Sequence, residues 1–374
     1  MVYDPRIYLA IDNCFASKRW TRPEDWARVI ADLGVSYVEA SADTELDPLY
    51  MGLDYLDGWV KQVRDAQERF GVRVVNLYSG HGTYSTLGLA HTDPTVRKRM
   101  RELWFYPMAR VAVQLNAGLG FAAHGFPHFV LQDALLYQEY IDILREQLTE
   151  IAVYATREGC RSLGVEQMYT PHMIPWTIQG TKRMLEEITL RSGTPFYFTE
   201  DVGHHHTKFI APTRNVVEAN YRACNKKDLW LGVDKAYSAF DRGDIDMVML
   251  CIKEHPHLFA SDEDGDCYTW LKKLGKYSPI IHLQQTNGSS SKHEPFGDSS
   301  QGIINGDEIL TSLRKSYHSG DNIKGLPPCE CIYLTLELFS ATTDLYSDII
   351  DRYRETVNYW RRFVPQDGLR LSEL

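Results

Sequence analysis

The chain has 374 residues, of which 44% are hydrophobic and 24% charged, and its formal net charge is −10. An acidic chain is a poor partner for nucleic acid, because contact with a phosphate backbone requires a basic surface. No apolar stretch approaches the roughly 18 to 20 residues needed to cross a bilayer, and the N-terminus lacks the profile of a signal peptide. Seven cysteines without Cys-x-x-Cys spacing favour reduced thiols over disulfides. The sequence therefore predicts a cytoplasmic protein with neither a nucleic-acid nor a membrane partner.

Strand-like and helix-like segments alternate along the chain. In chain order, the strand-like segments are 6–12, 37–41, 72–79 and 118–124, followed by four apolar runs that end near Glu166, Asp201, His282 and Glu337. Amphipathic runs predict helices at 24–33, 53–70, 95–115, 135–157, 178–190, 307–316 and 345–363. Strands that alternate with helices indicate a parallel sheet, and eight such units indicate a closed (β/α)8 TIM barrel. We therefore predict one barrel domain spanning residues 1–374.

An open, doubly wound sheet is the alternative fold. No Gly-x-Gly-x-x-Gly pattern follows the first strand, so a dinucleotide site has no support. The interval between Asp201 and His282 is about 80 residues, roughly double the others, and contains helix-like runs at 216–224 and 245–251. We expect this enlarged segment between strands six and seven to lie over the barrel mouth. Its acidic run 262–266 has glycine at the fourth position rather than the sixth, which argues against an EF-hand calcium loop.

Four metal-compatible side chains end four consecutive predicted strands, in the order Glu166, Asp201, His282 and Glu337. In a barrel of this type the working residues stand at the carboxyl ends of the strands, so these four are expected to meet. Three buried carboxylates beside one imidazole would repel one another unless a cation is bound. The sequence therefore predicts one divalent metal ion, with Mn²⁺ favoured by the oxygen-rich donors and Mg²⁺, Co²⁺ or Zn²⁺ as alternatives. Glu166 and Glu337 then flank the metal as candidate catalytic groups for proton transfer.

The same positions resemble a known family. The motifs are similar to those of the xylose isomerase-like barrel superfamily of sugar phosphate isomerases and epimerases, and especially to its ketose 3-epimerase branch: Val165-Glu166, Asp201-Val-Gly-His204, Ile281-His282 and Leu336-Glu337. In that branch the matching residues bind one divalent metal, and the two glutamates act as acid and base on opposite faces of the sugar. Segments 13–20, 282–286 and 359–368 further resemble D-erythrulose 1-phosphate 3-epimerase-like proteins. Barrel relatives of this kind imply a homo-oligomer, either a dimer or a tetramer.

The chemistry that the resemblance implies is inversion at carbon 3 of a small ketose phosphate, with a tetrulose phosphate as the specific expectation. A metal that binds the carbonyl stabilises the enediolate formed when one carboxylate removes the proton, and the second carboxylate returns a proton to the other face. Other readings stay open because the ligands alone do not fix the reaction. They are a free-ketose 3-epimerase, an aldose–ketose isomerase, a metal-dependent lyase or hydrolase on an oxidised sugar, and a barrel that binds sugar without turnover.

Substrate contacts are predicted from several smaller signals. His204 matches the Asp-x-x-His spacing of the family, whereas His205 and His206 are expected to be loop residues unless a second metal binds there. Three more residues end strands two, three and four and face either the pocket or a structural partner: Glu39, His81 and His124. Gln284 falls within the resembling segment 282–286. Candidate phosphate anchors are Lys18, Arg19 and Lys292, and Gly288 stands where free-ketose 3-epimerases carry an arginine, which favours a different anchor such as Lys292.

Overall fold

The computed structural model describes residues 3–205, 207–297, 300 and 302–374. Eight parallel strands form its centre: β1 (Arg6–Asp12), β2 (Tyr37–Ser41), β3 (Arg73–Tyr78), β4 (Gly118–Phe121), β5 (Leu163–Glu166), β6 (Tyr197–Asp201), β7 (Ile280–Leu283) and β8 (Cys331–Leu336). Neighbours along the chain pair in parallel, and β1 pairs with both β8 and β2, which closes the sheet. A two-residue strand, β9 (Leu369–Arg370), adds to β1 in the antiparallel sense. The predicted (β/α)8 barrel is confirmed.

Helices surround the barrel in the gaps between the strands. They are α1 (Pro23–Asp32), α2 (Pro48–Met51), α3 (Leu53–Phe70), α4 (Gly80–Tyr84), α5 (Pro94–Met100), α6 (Tyr106–Leu115), α7 (His128–Leu131), α8 (Ala134–Glu158), α9 (Ile178–Ser192), α10 (Arg214–Arg222), α11 (Asp234–Asp241), α12 (Ile245–Glu254), α13 (Cys267–Leu274), α14 (Gly306–His318) and α15 (Tyr346–Arg361). The run predicted as one helix at 95–115 is α5 and α6 joined by a π-helical turn, Arg101–Phe105. Asp133 caps α8 by accepting from two backbone amides, as expected for an N-cap carboxylate.

The described residues of the long interval between β6 and β7 form four α-helices, α10 to α13, besides short 3₁₀ turns. Two of them, α10 and α12, were predicted from the sequence, and α11 and α13 were not. The acidic run is a short 3₁₀ helix, Asp262–Gly265, rather than a calcium loop, and it begins with a capping box between Ser261 and Asp264. Asp264 also accepts from the Ile178 amide at 2.7 Å. This hydrogen bond attaches the enlarged segment to the start of α9, the helix that follows the strand carrying Glu166 along the chain.

The apolar core lies between the barrel and its helices. Large aromatic side chains fill it, including the fully buried Trp26, Trp59, Trp104, Trp270 and Trp360. Burial of one such side chain contributes on the order of 4 kcal/mol from the hydrophobic effect. No helix in the described part of the chain is long and apolar enough to span a membrane. The packed outer layer holds the strands in register, so the ends of neighbouring strands keep fixed positions.

Candidate metal centre and substrate cleft

Four predicted ligands converge at the carboxyl ends of β5 to β8. Glu166 and Asp201 are the last residues of β5 and β6, His282 lies in β7, and Glu337 directly follows β8. One ligand atom from each residue lies within 4.8 Å of the others, and all four side chains are buried. Neighbouring parallel strands bring their carboxyl ends to the same side of a barrel, which is why four positions far apart in sequence meet here.

Hydrogen bonds and close polar contacts hold this cluster together. The Nδ1 atom of His282 lies 3.1 Å from Oε1 of Glu166 and 3.1 Å from Oε2 of Glu337. Gln284 donates from Nε2 to both oxygens of Asp201, at 2.9 and 2.8 Å. Tyr78 donates its hydroxyl hydrogen to Oε2 of Glu166. Tyr78 and Gln284 lie outside the four-residue cluster and orient the carboxylates of Glu166 and Asp201, respectively.

The charged groups of the cluster shift one another's pKa values. Burial raises the pKa of Glu337 well above its usual value, although the charge of His282 opposes this shift. Burial also disfavours a charged His282, but the carboxylates of Glu337 and Glu39 outweigh it and raise the pKa of the imidazole. For Asp201 the histidines 204 and 293 overcome the effect of burial and lower the pKa of the carboxyl. The buried acids thus need positive charge nearby.

The residues present fit a divalent metal ion. Oε2 of Glu337 is buried and accepts no hydrogen bond from the described residues, although a buried carboxylate oxygen normally has a donor. Three carboxylates and one imidazole form a hard, oxygen-rich donor set, which suits Mn²⁺ or Mg²⁺ and is compatible with Co²⁺ or Zn²⁺. The prediction of a cluster that can hold a metal ion is confirmed, whereas the identity of that ion as Mn²⁺ stays a prediction.

A cleft of about 230 Å³ opens beside the cluster. Five of the sequence-predicted site residues line it: Glu166, Glu337, His204, His81 and Lys292. His204 is buried, with Nδ1 2.7 Å from the carbonyl oxygen of Gln167 and Nε2 3.3 Å from Oδ2 of Asp201. His81 is exposed at the rim, with its ring stacked on Tyr84. The alternative of a second metal at histidines 204–206 stays untested, because His206 lies outside the described residues.

Three predicted contact residues are buried but do not line the cleft. Glu39 lies behind His282, with Oε2 2.7 Å from Nε2 of that imidazole. Gln284 lies beneath the cleft, where it holds Asp201. His124 is fully buried and bonds through Nε2 to the carbonyl oxygen of Ile174. Burial lowers its pKa from 6.5 to about 4, so the ring is neutral at physiological pH.

Lys18 and Arg19, predicted as phosphate anchors, also lie outside the cleft. Lys18 is exposed and has a positive φ of 64°. Arg19 donates to the carbonyl oxygens of Ala341 and Asp344, at 2.6 and 3.3 Å, and its guanidinium lies 5.8 Å from the ring centroid of Tyr346. Arg19 therefore attaches the loop after β1 to the loop after β8. Lys292 is the one lysine or arginine among the described residues that line the cleft.

Several cleft residues were not anticipated from the sequence. His293 stacks on Phe339 with ring centroids 3.7 Å apart, and its Nδ1 lies 3.5 Å from Oε2 of Glu337. Burial lowers the pKa of His293 to about 4. Asp43 also lines the cleft and accepts from the backbone amide of His81 at 3.0 Å. Tyr78 also lines the cleft, and its hydroxyl group donates to Glu166. In the sequence, the indication of a role for His293 was its position next to the predicted Lys292.

The comparisons with known proteins agree with this fold. A family model described as "Xylose isomerase-like TIM barrel" matches residues 27–320. No curated protein matches the chain. A solved structure of a protein described as a candidate xylose isomerase from Rhodospirillum rubrum has a TM-score of 0.69 at 17% identity, covering 95% of this chain and 99% of that one.

Two further solved structures are similar at lower identity. D-psicose 3-epimerase from Clostridium cellulolyticum has a TM-score of 0.56 at 12% identity, covering 96% of this chain and 99% of that one. The 3-keto-D-glucoside 4-epimerase from E. coli has a TM-score of 0.53 at 11% identity, with coverage of 96% and 99%. At such identities the likeness concerns the fold alone, and the chemistry has to be argued from the residues of this chain.

Proposed function

Because the chain belongs to the xylose isomerase-like TIM-barrel family, we propose that it is a metal-dependent epimerase that inverts carbon 3 of a small ketose phosphate. The observation that carries the proposal is the cluster of Glu166, Asp201, His282 and Glu337, two members of which line a cleft. The sequence-based expectation of a barrel enzyme of this family is confirmed by the family match and the closed barrel. The identity of the sugar is the part that we propose.

Glu166 and Glu337 are the proposed acid and base. A hydrogen on the carbon next to a ketone is weakly acidic, so its removal needs both a base and stabilisation of the resulting enediolate. One carboxylate takes the proton from carbon 3, and the other returns a proton to the opposite face, which inverts the centre. Both side chains line the cleft, as this division of roles requires. When bound by the four ligands, a divalent ion supplies Lewis acidity that lowers the energy of the developing negative charge.

Binding of the substrate falls to residues at the rim and wall of the cleft. His204 is held by the carbonyl oxygen of Gln167 at 2.7 Å, and we propose that it contacts a sugar hydroxyl. Lys292 is exposed at the rim, where an ammonium group can hold a phosphate while the rest of the sugar reaches the two glutamates. A ketose 1-phosphate, whose carbon 3 lies two bonds from the phosphate-bearing carbon, fits this order of contacts, and the resemblance of the sequence motifs favours a tetrulose.

Proton NMR in D₂O with Mg²⁺-loaded enzyme tests the proposal. The substrates are D- and L-erythrulose phosphates, with free fructose and tagatose as unphosphorylated ketoses for comparison. We expect deuterium at carbon 3 of a phosphate ester, and the optical rotation should decay toward zero as the mirror-image form accumulates, because carbon 3 is the only stereocentre of erythrulose. Exchange at carbon 3 of the free ketoses would instead assign a free-ketose 3-epimerase. No exchange in any of these sugars, with metal bound, would reject the epimerase proposal for them.

The same spectra separate the remaining alternatives. An aldose–ketose isomerase exchanges hydrogen at carbon 1, and a lyase or hydrolase releases a fragment with new signals. A barrel that only binds sugar gives no exchange, and Glu337→Gln would leave its ligand affinity unchanged. For an epimerase, Glu337→Gln should lower turnover by about 10²- to 10⁴-fold, the usual contribution of a general acid or base. The predicted homo-oligomer is a separate proposal, and light scattering of the purified enzyme tests it.

A further inference from the structure

Glu39 connects two strands on the side of His282 that faces away from the cleft. It is fully buried in β2 and uses both carboxylate oxygens. Oε1 accepts from Nδ2 of Asn76 at 2.6 Å, and Oε2 lies 2.7 Å from Nε2 of His282. The three side chains form a continuous hydrogen-bonded chain from β3 through β2 to β7, and neither Glu39 nor Asn76 lines the cleft.

Two glycines in β4 leave the space that this chain needs. A Cβ atom at Gly118 would lie 2.5 Å from Oδ1 of Asn76, and one at Gly120 would lie 2.9 Å from Nδ2 of the same residue. Any larger residue at either position would push Asn76 away from Glu39. The position of the Glu39 carboxylate is thus determined by the barrel wall and does not depend on a bound sugar.

We propose that Glu39 is a positioning residue that fixes His282 in the tautomer and ring orientation required of a metal ligand. A carboxylate can only accept, so Nε2 of His282 must carry the hydrogen in the bond to Glu39. Nδ1 faces Glu166 and Glu337, each 3.1 Å away, and would direct its lone pair toward a divalent ion bound by this cluster. Carboxylate–histidine contacts of this kind commonly orient metal ligands, and their loss weakens metal binding. The inference rests on the metal site of the proposed function.

Among the described residues, Asp12 is a second buried acid near this side of the imidazole. Its carboxylate forms a second potential ligand group with Glu39 and His282, but one oxygen is bonded to the Cys14 amide at 2.6 Å and the other has no hydrogen-bond partner among the described residues. Glu39, in contrast, is held at both oxygens. The hydrogen bonds therefore assign the orienting role to Glu39.

The test is Mn²⁺ affinity, measured from the electron paramagnetic resonance signal of the free ion, for the wild type and Glu39→Gln. Glutamine has nearly the same shape but one acceptor oxygen, so it cannot accept from both Asn76 and His282. We expect Mn²⁺ binding to weaken by about 10- to 100-fold, the usual range for loss of such a partner. The matched control is Glu200→Gln, because Glu200 is equally buried and its Oε1 lies 2.7 Å from Nε2 of His205, outside the metal cluster.

A double variant tests the polarity of the hydrogen bonds directly. In the double variant of E39Q and Asn76→Asp, the amide nitrogen at position 39 can donate to the carboxylate at position 76, and the amide oxygen can accept from His282. The chain of hydrogen bonds is then complete again, with donor and acceptor exchanged between positions 39 and 76. We expect the double variant to bind Mn²⁺ more tightly than either E39Q or N76D alone. This comparison with N76D still decides the matter if E39Q alone does not fold. If these hydrogen bonds only stabilise the fold and do not act on His282, the double variant should regain the melting temperature of the wild type but keep a low Mn²⁺ affinity.

The ring itself gives an independent readout. In the Zn²⁺-loaded wild type, ¹⁵N NMR should find the hydrogen of His282 on Nε2, and E39Q should shift this signal. Equal Mn²⁺ affinities for the wild type and E39Q would overturn the inference and leave the proposed function standing. A wild type that binds no divalent ion would overturn both. A loss in E200Q as large as that in E39Q would also count against a specific role for Glu39.

Discussion

The hydroxyl group of Tyr78 donates a hydrogen bond to Oε2 of Glu166, one of the two carboxylates that line the cleft. Burial and the neighbouring Glu166 both raise the pKa of Tyr78 well above its usual value, so the phenol stays protonated and keeps its role as donor. A fixed donor at Oε2 leaves Oε1 facing His282, at 3.1 Å from Nδ1. Tyr78 therefore decides which oxygen of Glu166 is turned toward the other ligands.

Removal of this hydroxyl should slow the reaction without unfolding the enzyme. A hydrogen bond to a charged group contributes about 1.5 to 3 kcal/mol, so we expect Tyr78→Phe to lower kcat by about 10- to 100-fold, with a smaller change in KM. Steady-state kinetics on the substrate found by NMR measures this effect. Tyr84→Phe is the control, because Tyr84 lines the same cleft but bonds to the hydroxyl of Tyr169 instead of to a carboxylate. Equal losses in the two variants would contradict a specific role for Tyr78.

Lys292 and Lys18 make a matched pair for the phosphate anchor. Both side chains are exposed, but of the two only Lys292 lines the cleft. We expect Lys292→Ala to raise KM for a ketose phosphate by about tenfold, as for the loss of one charge-assisted contact of about 1.5 kcal/mol. The value for a free ketose should not change. Lys18→Ala should leave both values as in the wild type, and a larger effect from Lys18 would move the anchor to the loop after β1.

The order of the elements was readable from the sequence because strands and helices alternate regularly. The four residues of the candidate metal cluster could be predicted for a physical reason: a buried strand that ends in an ionisable group needs a partner for the charge. The depth of each side chain within the barrel could not be predicted in this way. The sequence left open whether Glu39 contacts the substrate or a structural partner, and in the structure it pairs in register with Asp12 and lies behind His282.

The conformations of the loops also could not be predicted from the sequence. His124 follows β4, but the chain turns there so that its imidazole meets the carbonyl oxygen of Ile174 instead of the cleft. His293 returns to the site because Glu294 pairs with Gln285 in an antiparallel bridge. Both outcomes depend on contacts between segments distant in sequence, for which neither apolar periodicity nor residue type gave a signal. The helices α11 and α13 of the enlarged segment were not predicted either.

Chelation of the metal should lower the melting temperature. Without an ion, the carboxylates of Glu166, Asp201 and Glu337 share a buried site with a single imidazole. A ligand present at 100 times its Kd stabilises the folded state by about 2.7 kcal/mol, which corresponds to a shift of roughly 2 to 10 °C. Calorimetry before and after treatment with a chelator, with the metal content verified, measures the shift. The Glu166→Gln, Glu337→Gln double variant should be less sensitive, and an unchanged wild-type melt would count against the site.

His124 should make the enzyme sensitive to mild acid. Burial lowers its pKa from 6.5 to about 4, although the hydrogen bond to Ile174 opposes the shift. A histidine with a lowered pKa in the folded state contributes stability that is fully present above pH 6.5 and is lost as the pH falls toward 4. With about 1.36 kcal/mol per pKa unit, the loss over this window is on the order of 3 kcal/mol.

Urea unfolding at pH 7 and pH 4.5 checks this expectation for the wild type and His124→Gln. Glutamine can donate to the Ile174 carbonyl oxygen but does not titrate, so the free energy of unfolding should fall less between the two pH values than in the wild type. His128→Gln is the control, because His128 is exposed and lies 2.9 Å from Asp234 on the surface. It should follow the wild type at both pH values. Identical pH dependence in all three proteins would mean that His124 does not carry the acid sensitivity.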